Sequence, residues 1–112
     1  MGDGKSDVLQ GTLDLMVLKT LQSMGPLHGY GIARRIEQVS DNGLSLNQGT
    51  IYPALLRLQQ RGWIKAGWGT SETKRRAKSY SLTRIGSNRV GQETENWERI
   101  AATMSRFLAP SN

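Results

Sequence analysis

The chain has 112 residues, which suits one domain with a short extra element and excludes a second, enzyme-sized core. It has no cysteine and a single histidine, His28, which excludes a disulfide scaffold, a thiolate-bound zinc, an iron–sulfur cluster and thiol catalysis, so no metal or cofactor is expected. Fifteen Lys and Arg against nine Asp and Glu give a net charge of +6 and call for an anionic partner. No apolar run approaches the ~20 residues of a spanning helix and the first residues carry no hydrophobic signal region, so the expected location is the cytoplasm, with no membrane partner.

Asp7 and Gln10 form a capping-box-like start, and Leu9, Leu13, Met16, Leu18 and Leu21 recur at helical spacing, which predicts a first helix over about 7–24, stopped by Gly25-Pro26. Ile32, Ile36 and Val39 mark a shorter second helix that ends in the Asp41-Asn42-Gly43 turn. Ile51, Leu55 and Leu58 mark a third, closed by Gly62. Its start is open between two caps. With Asn47 as the cap, Pro53 falls in the second turn and deletes a hydrogen bond; with Thr50, it falls in the first turn and deletes none. Residues 63–68 and 78–82 alternate, Ile64, Ala66 and Trp68 sharing one face, and predict a two-stranded hairpin with a polar, basic tip. Thr83 caps a final helix that runs to about Leu108 before Pro110.

Charge is concentrated in the second half of this order. From Arg57 to Arg89 there are nine cations and one acid, a local net charge of +8 that leaves −2 for the rest of the chain. Such an asymmetry is the footprint of a surface that meets a polyanion, because each Lys or Arg that neutralises a phosphate releases a condensed counterion. Three helices followed by a basic hairpin are the order of a winged helix-turn-helix. The expected fold is therefore mainly α with a two-stranded β-wing: a DNA-binding domain over residues 1–83 and a dimerisation helix over 84–112.

In that fold the third helix enters the major groove of double-stranded DNA and the hairpin reaches the neighbouring backbone. With Ile51, Leu55 and Leu58 turned to the core, the expected contacts from the third helix are Asn47, Gln48, Thr50, Tyr52 and Arg57, since Gln and Arg pair with base edges and hydroxyls reach phosphates. From the wing the expected contacts are Lys74, Arg75, Arg76 and Lys78, four cations within five residues that would repel one another without a polyanion.

Four runs then resemble a known family: His28-Gly29-Tyr30-Gly31-Ile32, residues 49–58 (Gly-Thr-Ile-Tyr-Pro-Ala-Leu-Leu-Arg-Leu), Gly62-Trp63-Ile64, and residues 75–86 with Tyr80-Ser81-Leu82-Thr83 and Gly86. Together they look like the PadR family of bacterial transcriptional regulators, in its short, single-domain branch. Gly31 and Ser79 depart from the family's pattern, which often has an acid and an aromatic there. The resemblance implies a homodimeric repressor that binds operator DNA and is released by a small aromatic or hydrophobic effector.

The last helix points to the dimer independently. Val90, Thr94, Trp97, Ala101, Met104 and Leu108 fall at heptad a/d spacing, and Ile100 and Phe107 widen the stripe. The expected dimer interface is Val90, Trp97, Ile100, Ala101, Met104, Phe107 and Leu108, with folding of the stripe onto the first helix of the same chain as the alternative. A two-fold dimer calls for a near-palindromic operator. Members of the family's multidrug-sensing branch look similar at Trp97, so the resemblance makes Trp97 the expected effector contact. No enzyme is expected: His28 has no second base or thiol beside it, and Glu93, Glu95 and Glu98 fit the solvated face of the last helix. The rival class is a winged-helix interaction module whose basic wing binds an acidic protein or RNA.

Overall fold

Each predicted helix forms, and each stops where the chain chemistry says it should. The computed structural model describes residues 3–70 and 76–110. Helix α1 spans Asp3–Met24, starting four residues before the expected Asp7, and β1 is the two-residue strand Leu27–His28. Helix α2 spans Gly29–Val39 and α3 Gln48–Gln60, followed by β2 over Ile64–Thr70, β3 over Arg76–Leu82 and α4 over Arg84–Leu108. Thr83 caps α4 as expected, its hydroxyl accepting from the Gly86 N–H at 3.0 Å.

Helix α1 ends at Gly25, whose φ of +81° only glycine takes without strain. Helix α3 closes with a paired six-to-one and five-to-two motif: the Trp63 N–H donates to the Leu58 carbonyl and the Gly62 N–H to the Gln59 carbonyl, both at 3.0 Å, with Gly62 at φ +77°. Helix α2 ends the same way with Asp41 and Asn42 in the left-handed region, as polar side chains of this kind tolerate.

Among the described residues the sheet has three strands in the order β1-β3-β2. The hairpin pairs antiparallel from Ile64 opposite Leu82 to Thr70 opposite Arg76, and β1 adds Leu27 opposite Tyr80 and His28 opposite Ser79. Strand β1 has no signature in the sequence, because two residues cannot show alternation. The wing is thereby anchored on its far side to the α1–α2 junction.

One core joins the elements: Leu13, Val17, Leu18 and Leu21 from α1, Ile32 and Ile36 from α2, Ile51, Ala54, Leu55 and Leu58 from α3, Ile64 and Tyr80 from the sheet, and Val90 from α4. Burial of this set supplies the main favourable free energy of folding. Val90 is 2% exposed within the protomer, so it is a core residue and not part of a free interface stripe. Its a/d position coincides with the side of α4 that packs on the rest of the domain, which periodicity alone cannot separate from a dimer seam. Gly86, one turn earlier, brings α4 against the backbone of Trp63 so closely that a Cβ there would overlap the Trp63 carbonyl. Among the described residues, no helix is long and apolar enough to cross a membrane.

Candidate nucleic-acid interface

The loop before α3 is pinned at both ends by side chains of α2 and its cap. Glu37 Oε2 accepts from the Leu46 N–H at 2.8 Å, and the Ser40 hydroxyl accepts from the Leu44 N–H at 3.1 Å. Asn47 is the cap of α3, its Oδ1 accepting from the Thr50 N–H at 3.1 Å and from the Thr50 hydroxyl at 3.2 Å. This settles the alternative left by the sequence: Pro53 lies in the second turn, where it has no N–H to give the Gly49 carbonyl. The cap and the pinned loop fix the direction of the helix.

The inward side of α3 carries Ile51, Ala54, Leu55 and Leu58. Its exposed residues are Gln48, Gly49, Tyr52, Pro53, Leu56, Gln59 and Gln60, and none of them is charged. Gln48 stands at the first position and open to solvent, as expected. Asn47 and Thr50 are brought together, but by the cap: Asn47 Oδ1 is committed to it, and Thr50 is half-buried. The Tyr52 ring lies over the backbone of Gly29, where a Cβ would come within 3.0 Å of its Cε1 and hydroxyl oxygen, and the ring edge still reaches solvent. Glycine at 29 is what lets the ring settle there.

Arg57 departs from its expected outward placement. Its Nη2 donates to Asp14 Oδ1 at 2.7 Å and its Nε to Oδ2 at 3.4 Å, a two-pronged ion pair that ties α3 to α1. The Asp14 side chain is only 8% exposed, so it draws the guanidinium off the solvent face. Arg61 reaches the same carboxylate at 3.9 Å and also stacks on Trp63, 5.1 Å from the ring centroid. Arg89 of α4 lies 4.9 Å from the same ring and pairs with Glu93 at 2.6 Å. Sequence spacing could not reveal this cluster, since Asp14 and Arg57 are 43 positions apart.

Exposed cations lie on the sheet and on α2. Lys78 of β3 is exposed, 5.6 Å from the centroid of Trp68, its cross-strand partner on β2. Its carbonyl meets His28 Nδ1 at 3.2 Å, which joins β1 to the wing. Lys65 on β2 and Arg34 on α2 are also exposed. Of the expected wing contacts, Lys74 and Arg75 lie outside the described residues, and Arg76 is described only as the first residue of β3. Burial raises the pKa of the Tyr80 phenol behind this surface, and the nearby Tyr52 adds to the shift.

The second half of α4 presents Trp97, Ile100, Met104, Phe107 and Leu108 to solvent, Phe107 being 80% exposed, with Ala101 partly covered beside them. The alternative in which the whole stripe folds onto α1 is therefore not what the chain adopts. Trp97 borders a cleft of about 510 Å³ between α1 and α2, lined by Leu15, Met16, Met24, Val39 and Leu44.

Comparison with known proteins agrees with this architecture. The family described as "Transcriptional regulator PadR-like family" matches residues 17–92. A transcriptional regulator from Clostridium thermocellum is 32% identical, with a TM-score of 0.82 over 92% of this chain and 99% of that one. A PadR-like transcriptional regulator from Bacillus cereus has the same fold at 22% identity, with a TM-score of 0.77 over 94% of this chain and 99% of its own. An uncharacterized protein from Lysinibacillus sphaericus is 23% identical over 93% of this chain and 94% of its length. With four helices and the wing strands among the described residues and a match across residues 17–92, the chain belongs to the PadR-like family of transcriptional regulators, which are not enzymes.

Proposed function

We propose that this regulator binds double-stranded DNA sequence-specifically as a homodimer, acts as a repressor at a near-palindromic operator, and is released by a small aromatic or hydrophobic effector. The observation that carries the proposal is the outer side of α3, a solvent-exposed, uncharged helix face in a domain whose wing strands carry the exposed cations Lys65 and Lys78 and whose α2 carries Arg34. Phosphates are met by cations and base edges by neutral polar and apolar groups, so this distribution suits a helix seated in the major groove. Gln48, Tyr52 and Thr50 are the α3 contacts, with Asn47 contributing through the cap, and Lys74, Arg75, Arg76 and Lys78 are the wing contacts. Arg57 is left out because Asp14 holds it.

The dimer uses Trp97, Ile100, Ala101, Met104, Phe107 and Leu108. An exposed apolar stripe of this length on one helix is the kind of surface a second copy covers. A two-fold dimer of this kind reads half-sites about one DNA turn apart. The cleft bordered by Trp97 has the size and apolar lining of a small-molecule site, and a flat aromatic ligand there would stack on the indole. Bacterial cytoplasm is where such a regulator acts.

Fluorescence anisotropy tests the proposal with a duplex from the gene's own upstream region and a scrambled duplex, each over a salt series. The expected result is at least ~10³-fold tighter binding of the upstream duplex, with log K falling several units per decade of salt. Equal binding of the two duplexes refutes the proposal. A planar aromatic compound should then lower the affinity of the wild type and lose that effect in Trp97→Ala.

A further inference from the structure

The reading face of α3 is centred on a residue that neither its charge nor its hydrogen-bonding capacity would single out. At 100° per residue, the direction opposite Ile51, Ala54, Leu55 and Leu58 passes through Gly49, Pro53, Leu56 and Gln60. Leu56 is 55% exposed at the middle of this line, although every other leucine of α3 is buried. Pro53 stands one turn before it and is also exposed. A helix that spends its other leucines on the core has here left an apolar pair on the side farthest from it.

We infer that Leu56, backed by Pro53, reads the 5-methyl group of a thymine in the major groove. The inference rests on the DNA-binding function proposed above and adds which base feature the helix recognises. Three observations converge on it. The face has no cation to hold a phosphate and no carboxylate to accept from a cytosine amino group, and between Gly49 and Gln60 its outward line offers only Pro53 and Leu56, which contact a base by shape and apolar surface. Gly49, one turn before Pro53, adds no side chain, and its would-be Cβ meets nothing nearer than the Asn47 side chain at 3.3 Å, so a groove edge can approach the helix closely here. The exposed cations Lys65, Lys78 and Arg34 stand on the sheet and on α2, off this face, which leaves phosphates to other elements and the apolar pair to an uncharged edge. The thymine methyl is the apolar group that the major groove offers. Gln48, two turns before Leu56, supplies the complementary polar contact to an adenine edge, so the half-site is expected to be A·T-rich.

The test replaces thymines of the bound upstream duplex one at a time by deoxyuridine, which removes the methyl and keeps every hydrogen-bonding group. Burial of one methyl predicts a loss of about fourfold at one position per half-site for the wild type, and about tenfold or more when both half-sites are substituted. Leu56→Ala, on an exposed position and checked by an unchanged melting temperature, is expected to bind the thymine and deoxyuridine duplexes equally at that position. Wild-type binding that ignores every deoxyuridine while still preferring the upstream duplex over a scrambled one overturns the inference and leaves the regulator proposal standing. Discrimination retained in Leu56→Ala also overturns it. Loss of any preference for the upstream duplex refutes the parent proposal, and the inference with it.

Discussion

Replacing Gly86 by alanine sets two opposed effects against each other at one atom. Gly86 lies in the first turn of α4, where alanine is favoured over glycine by at most the ~1 kcal/mol of a helix interior, so propensity alone predicts stabilisation. The added Cβ, however, would overlap the Trp63 carbonyl oxygen and lie 2.8 Å from its carbon and 3.2 Å from Trp63 Cα, and both partners are backbone. Relief requires α4 to move off the Trp63 backbone by well over ~1 Å, since ordinary carbon contacts begin near ~3.5 Å. The same carbonyl accepts from the Thr83 N–H at 3.1 Å, and the Thr83 hydroxyl donates to the Gly62 carbonyl at 2.6 Å. A shift of that size takes both bonds beyond useful length, at about 1 kcal/mol each. With ~1–3 kcal/mol for overpacking, and the propensity gain set against it, the net loss is about 2–4 kcal/mol. For a domain of this length that lowers Tm by about 8–16 °C, to be measured by thermal denaturation at one fixed protein concentration. Gly91→Ala is the control: it lies on the same helix with open space around it and should raise Tm by a few degrees. A Gly86→Ala protein that melts within about 2 °C of the wild type would refute the argument.

Arg57→Met, which strips a buried carboxylate of its two-pronged partner, should cost about 2 kcal/mol in urea denaturation; this is less than a fully buried pair loses because Arg57 remains a quarter exposed. Asp14→Leu combined with it should recover most of that loss, and an additive double variant would contradict a direct pair. Tyr80 gives a pH dependence. Its phenol is raised above the ordinary value by burial and by Tyr52, so the fold favours the neutral form; its contribution is intact below the ordinary pKa of ~10 and is lost as pH rises through the raised one. The urea midpoint should therefore fall as pH rises above about 10 in the wild type and fall less in Tyr80→Phe, and identical profiles would remove Tyr80 from the account. The protein should sediment as a dimer at micromolar concentration and Phe107→Glu as a monomer, because a carboxylate at the most exposed point of the stripe cannot be buried unpaired.

Helical periodicity and caps carried most of the fold in the sequence. Thr83 is the cap of α4, Gly62 ends α3, and the hairpin strands lie where alternation puts them. What escaped was set by distance in sequence. β1 is two residues whose partners, Tyr80 and Ser79, come some fifty positions later. Arg57 has the spacing of an outward residue and is turned by Asp14 on another helix. Val90 and Phe107 share one stripe in the sequence, yet the first lies in the core and the second in solvent, because α4 outruns the body of the domain. Leu56 carried a signal that was passed over: it sits on the far side of the wheel from the helix's own core residues. The choice between Asn47 and Thr50 as cap needed coordinates, since both side chains are competent and the structure uses one to hold the other.

The strand order β1-β3-β2 also governs when this domain can first exist during synthesis. The middle strand is made last, so β1 has no neighbour, and the core lacks Tyr80 and Val90, until the ribosome has released about three-quarters of the chain. Helices α1 to α3 emerge well before that with apolar faces still open. Pairing β1 to β3 closes a long loop, an entropic cost that grows slowly with length but must be met before the contact rewards it. Folding is thus expected to be a late, concerted event in which the wing strand locks the three earlier helices together, and its anchoring role precedes any role at the groove.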